Sequence, residues 1–105
     1  MKITKKHINT VLDDAYRKYY NNQKITYEEY VLMLATNDEL WFWHNDTEYQ
    51  VIYVIPNMTT MSVTKYDGNK KVSERSENYK SIIDLLQNFR IDGKCIRDVW
   101  DEISF

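Results

Sequence analysis

Apolar and polar positions change period twice along the chain, and each change marks a change of element. From Thr4 to about Asn21, Ile8, Val11, Leu12, Ala15 and Tyr19 recur at helical spacing, with Lys5, Lys6, Asn9, Asp13 and Arg17 on the other side. A turn of ~3.6 residues stacks the first set into one stripe, so the spacing predicts an amphipathic helix ended by Asn21-Asn22. After about four residues a second helix start is marked by Thr26 with Glu29 three positions on, the capping-box pattern. Ile25 and Tyr30 flank that cap as a hydrophobic staple, and YEEYVLMLAT carries the helix to about Asn37. Two helices so close in sequence predict a helical hairpin.

Past Asp38 the period drops towards two. ELWFWH is short and aromatic, HNDT has turn chemistry, and EYQVIYVI is β-branched and aromatic, a combination that predicts a β-hairpin. TTMSVTKY follows, with Met61 and Val63 alternating against Thr60, Ser62 and Thr64, so one face of that strand is wet. Asp67-Gly68-Asn69 supplies a second turn, and KKVSERSE makes a weak, charged fourth strand suited to an edge. From Tyr79 the period is helical again. Ser81 caps with Asp84 three on, Ile82, Leu85, Leu86 and Phe89 form a stripe, and Asp92-Gly93 breaks it. A last short helix carries Ile96, Val99, Trp100 and Ile103. The expected fold is a single α+β domain over 1–105: an N-terminal helical hairpin, a three- to four-stranded antiparallel sheet and two C-terminal helices.

Composition narrows the function classes. The chain is 43% hydrophobic and 14% aromatic, enough for one core, and it has 2 glycines and 1 proline, too few for glycine-rich phosphate loops. Net charge is −2, with 14 basic against 16 acidic residues, whereas nucleic-acid binders draw most of their affinity from a basic excess. The single Cys95 cannot form an internal disulfide, which fits a reducing compartment. The first ten residues lack an apolar signal-peptide core, and YVLMLA and VIYVIP fall far short of the ~20 residues that span a bilayer. A cytoplasmic protein with no membrane association is the expectation.

Little in the chain points to chemistry. Cys95 follows Gly93 near a helix start, where a thiol can be activated, but a nucleophile also needs a base, and His7 and His44 are distant in sequence. No C-x-x-C or H-x-x-x-H spacing suggests a metal, and Asp13-Asp14 and Glu28-Glu29 are adjacent on helices, so their side chains diverge. Asp92-Gly93-Lys94 lacks the glycine-rich cradle of a phosphate site and reads as a helix-ending turn. No catalytic residue, cofactor or metal is expected, and the chain reads as a non-enzyme.

The aromatic hairpin is the informative stretch. On its first strand Leu40, Phe42 and His44 share one face and Trp41 and Trp43 the other. A two-residue loop at Asn45-Asp46 pairs Phe42 with Tyr49 and sets Trp43 and Trp41 against Glu48 and Gln50. A three-residue loop moves the tryptophans onto Tyr49 and Val51. In either register both faces are apolar and something must cover the second. The first expectation is that the N-terminal helices do so. The other is an exposed aromatic patch, with Trp41, Trp43, Glu39, Glu48 and Gln50 as protein-binding residues.

The aromatic strand, polar turn and EYQV, followed by SIIDLLQNFRIDGKCIRDVWDEI, resemble a loose group of small uncharacterised proteins of Gram-positive bacteria, their phages and plasmids. The shared features are Tyr49, the Leu85-Leu86 pair, the Ile91–Lys94 turn and Trp100, within roughly Glu39 to Ile103. The hairpin turn here is Asn-Asp, where the group has a glycine. The resemblance implies a bacterial or mobile-element origin and brings no activity. The functional expectation is a non-enzymatic protein-binding domain, an inhibitor or adaptor. The alternative is a homodimer that binds nucleic acid or a small molecule.

Overall fold

The computed structural model describes residues 5–36, 39–55 and 58–105, and among these the side chains of 10–36, 39–52 and 58–105. Helix α1 spans Lys5–Tyr20 and α2 spans Tyr27–Ala35. The cap of α2 forms as its local sequence dictates: Thr26 Oγ1 accepts from Glu29 N–H at 3.0 Å, and Glu29 Oε1 accepts from Thr26 N–H at 2.8 Å. Both staple residues, Ile25 and Tyr30, are buried. Asn22, at φ 57°, turns the chain out of α1, a conformation asparagine tolerates better than most residues. The expected ends at Thr4 and Asn37 lie outside the described residues, as does the side chain of Ile8.

Strands β1 (Trp41–His44), β2 (Thr47–Ile55), β3 (Met58–Asp67) and β4 (Lys70–Tyr79) run as an antiparallel meander. Helix α3 (Ile82–Asn88) follows, its Asp84 N–H bonded to the Ser81 hydroxyl at 3.1 Å. Asp92-Gly93 does not itself end α3, which is already capped at Phe89. It makes a separate tight turn closed by reciprocal Ile91–Lys94 backbone bonds of 2.8 and 3.0 Å, with φ of 52° and 82° at its two central residues. The last expected helix is a 3-10 helix, Ile96–Glu102, and the chain closes in β5, Ile103–Ser104.

The sheet therefore has five strands in the order β4-β3-β2-β1-β5, one more than the most the sequence pattern suggested. Ile103, expected on a helix, pairs with His44 instead. KKVSERSE does form an edge strand, and a long one of 10 residues.

One face of the sheet holds the core. Leu40, Phe42, Tyr49, Val51, Met61 and Val63 are buried there with Tyr30 and Met33 of α2, Leu85 and Phe89 from α3 and its cap, and Trp100 of the 3-10 helix. The two halves of the chain are tied through Trp100. Its ring lies 5.0 Å from Tyr30, 5.5 Å from Tyr27 and 5.8 Å from Phe105, and its Nε1–H donates to Ile25 O at 3.0 Å. Lys24, in the α1–α2 connection, donates its ammonium to the carbonyls of Trp100 and Ile103 and sits 5.2 Å from the Trp100 ring centre.

One carboxylate of each adjacent pair on the helices, Asp14 and Glu29, is held in ion pairs. Asp14 pairs with Arg17 and Lys18, and Lys18 reaches across to Glu29 at 3.5 Å, linking α1 to α2.

Candidate functional site

Hairpin β1–β2 adopts the two-residue loop. Asn45 takes φ 55°, and the pairs are Phe42 with Tyr49, Trp43 with Glu48 and Trp41 with Gln50. Side chains directly opposite in an antiparallel pair share a face, so this register decides where every residue of the hairpin points. Phe42 stacks on Tyr49 at 5.1 Å, inside the core. Trp41, Trp43, Glu48 and Gln50 come together on the other face.

That second face continues across the sheet. Gln50 lies opposite Ser62, Glu48 opposite Thr64 and Ile52 opposite Thr60. On β4, Ser76, Glu74 and Asn78 complete the same rows. Thr60 and Thr64 are buried there, on a central strand between β2 and β4. The Thr60 hydroxyl donates to Asn78 Oδ1 at 2.8 Å. Between these rows runs a shallow groove of about 420 Å3 lined by Ile52, Thr60, Ser62, Glu74, Arg75 and Ser76.

The N-terminal helices cover this face only in part, and the aromatic patch remains. Helix α2 packs on the Phe42 side, with the Tyr30 ring 5.8 Å from Phe42, and α1 packs on α2. The first face is apolar across three strands, through Met61 and Val63 of β3, while the second turns to Thr60, Ser62 and Thr64 after two strands. Helices with one apolar stripe each bury more by sharing the first face.

α1 touches the rim of the second face through Tyr19. The Tyr19 ring lies 5.4 Å from that of Trp41, and its hydroxyl bonds both the Trp41 N–H (3.1 Å) and the Trp41 carbonyl (3.4 Å). β5 pairs only with Trp43 and His44, so the phenol serves the stretch of β1 edge that β5 leaves uncovered. Trp41 stays 41% exposed, which makes it one of the largest exposed apolar side chains described. Trp43 is half-buried, its ring 5.5 Å from Tyr66 of β3.

Tyr66 is the member of the patch that sequence reasoning missed. The alternation of TTMSVTKY, continued one step past Thr64, puts Tyr66 on the wet face, which was the available signal. Glu39 is exposed on the approach to β1, outside the strand rows.

Burial pushes the Tyr19 phenol up from its ordinary 10.0 to about 12, a shift that its backbone bond to Trp41 opposes. A raised folded-state pKa contributes stability that is complete below the unfolded value and lost as pH rises through the folded one. Stability is therefore expected to fall between about pH 10 and 12. Urea midpoints measured across that range should fall less steeply for Tyr19→Phe than for the wild type. Equal slopes would show that Tyr19 ionises no differently in the two states.

Cys95 and His44 have separate partners. Cys95 precedes the 3-10 helix, and its thiol donates to Asp98 Oδ2 at 3.0 Å. His44 is buried on the core side of β1, its Nε2 3.7 Å from Glu102 Oε1. The side chain of His7 lies outside the described residues. Among the described residues no three His, Cys, Asp or Glu side chains gather as metal ligands, and no helix is long and apolar enough to cross a membrane.

No family model matches the chain, and no curated protein or solved structure does so either.

Proposed function

We propose that the second sheet face is a protein-binding surface, and that the chain acts through it as a non-enzymatic inhibitor or adaptor in a bacterium or mobile genetic element. The observation that carries this reading is the exposed Trp41 beside Trp43 and Tyr66 on a sheet face that α1 meets only at its rim, through Tyr19 against Trp41. Tryptophan and tyrosine bring large contact area with few rotatable bonds, and they dominate the energetics of protein interfaces. Glu48 and Gln50, between the tryptophans and β3, supply polar groups that fix orientation. Glu48 and Glu74 on this face disfavour a phosphate backbone as the occupant. The groove is shallow and lined mostly by polar and charged side chains, unlike the deep apolar pockets that small ligands select. The resemblance to small proteins of Gram-positive bacteria and their mobile elements accords with such a role and adds no partner.

The test is capture of partners from a bacterial lysate by the wild type and by Trp41→Ala/Trp43→Ala, both first shown by circular dichroism to be folded. A partner held by the wild type should be lost by the variant. An interface tryptophan contributes about 2 kcal/mol or more, roughly 30-fold in Kd. Equal retention by the two folded proteins would remove this face as the binding surface.

A further inference from the structure

The outer edge of β4 carries an inference independent of the tryptophan face. β4 ends the sheet order, runs for 10 residues and is exposed over most of its length. Its pairing with β3 is interrupted once, between Lys65 and Tyr66, where Val72 is the extra residue of a bulge. Lysines and bulges are devices that keep sheet edges from pairing, and here both lie at one end: Lys70, Lys71 and the bulge at Val72. Beyond them is a regular stretch of seven consecutive pairs, from Ser73 to Tyr79, whose middle residue is Ser76.

We propose that this stretch is a self-association site that takes a second copy of the chain, β4 antiparallel to β4, about a two-fold axis through Ser76. Such an axis stands normal to the sheet, so every side chain meets one from its own face, and the whole regular stretch pairs with itself. Ser73 then opposes Tyr79 of the second copy, and Glu74 opposes Asn78. Arg75 opposes Glu77, and Glu77 opposes Arg75.

Arg75 and Glu77 already form an ion pair along one strand, with 56% and 42% of their side-chain surfaces exposed. In the dimer the two pairs make a square of alternating charge. Ser76, the smallest side chain available, sits on the axis. Neighbouring registers lose this match. An axis on Glu74, Arg75 or Glu77 sets that charge against its own copy, and one on Ser73 sets Lys71 against Arg75. An axis on Asn78 leaves only the end of the strand paired. Charge and length thus select the same register.

A contact made by one strand edge falls below the ~1,200 Å2 of standard interfaces, so the dimer is expected to be weak, with Kd on the order of 100 µM. Sedimentation velocity from about 10 µM to 1 mM should show the wild-type mass rising with concentration. Arg75→Glu places like charges opposite each other twice and should weaken the dimer at least tenfold. Arg75→Glu/Glu77→Arg is self-complementary again and should restore it to within about threefold.

The axis is located by cross-linking in a Cys95→Ser background. Ser76→Cys should form a disulfide-linked dimer, because directly opposed residues lie about 5 Å apart. Glu74→Cys should not, its two copies being offset by four residues, about 13 Å. A wild type that stays monomeric at about 1 mM overturns the proposal. So does an Arg75→Glu dimer of unchanged strength, a charge swap that fails to restore association, or equal cross-linking by the two cysteine variants.

Discussion

Replacing Trp100 with alanine is expected to remove about 3–5 kcal/mol of stability, the range typical of deleting a buried large aromatic. The ring is only 7% exposed and lies within 6.3 Å, centre to centre, of Tyr27, Tyr30, Phe42 and Phe105. Those four partners come from α2, β1 and the C-terminus, so one side chain packs against all three segments. A small domain has about 5–15 kcal/mol in total, and the variant should be largely unfolded on warming. Trp100→Phe separates two contributions. It keeps most of the ring packing but leaves the buried Ile25 carbonyl without its Nε1–H donor, at about 1–3 kcal/mol. Urea denaturation followed by far-ultraviolet circular dichroism measures both. A loss under 1 kcal/mol for Trp100→Ala would mean that the 3-10 helix does not pack as described.

The second large effect contrasts two adjacent aromatics. Phe42→Ala should cost about 3–5 kcal/mol, because the ring is fully buried between Tyr49, Tyr30 and Trp100. Trp41→Ala removes a larger side chain yet should cost only about 1 kcal/mol, chiefly its contact with the Tyr19 ring. Midpoints of urea unfolding with unchanged slopes would report the difference directly. The order of the two effects tests the hairpin register, since a one-residue slip exchanges the faces. If Trp41→Ala were the more damaging, the tryptophans would be core and the proposed surface would not exist.

These contrasts also show what the sequence could and could not convey. The cap at Thr26 and the turn at Asp92-Gly93 were legible because each is decided by a few neighbouring residues. The hairpin register was legible as one of two alternatives, and the choice rested on whether Asn45 would accept a positive φ. β5 was not legible. Two residues after a short helix carry no alternation, and Ile103 fits either a helical stripe or a strand until His44 is known to face it. Which face the helices would cover depended on comparing all the strands together. Trp41 and Trp43 make the second face apolar locally, but Glu48 and Gln50 interrupt it on β2 and Thr60, Ser62 and Thr64 end it on β3. The patch residues Trp41, Trp43, Glu48 and Gln50 follow from the register, and Tyr66 from the same alternation carried further.

The Tyr19 phenol and the Lys24 ammonium have a consequence for growth. A sheet with two bare edges behaves like a bifunctional monomer, adding units at both ends until it becomes a fibre. In this chain the β1 edge is occupied by β5 and by the Tyr19 hydroxyl on Trp41, and the Ile103 carbonyl of β5 is taken by Lys24. Among the described residues only β4 keeps a regular open edge, so the self-association proposed for it would make the molecule monofunctional in the polymer chemist's sense, with edge-to-edge growth terminating at two.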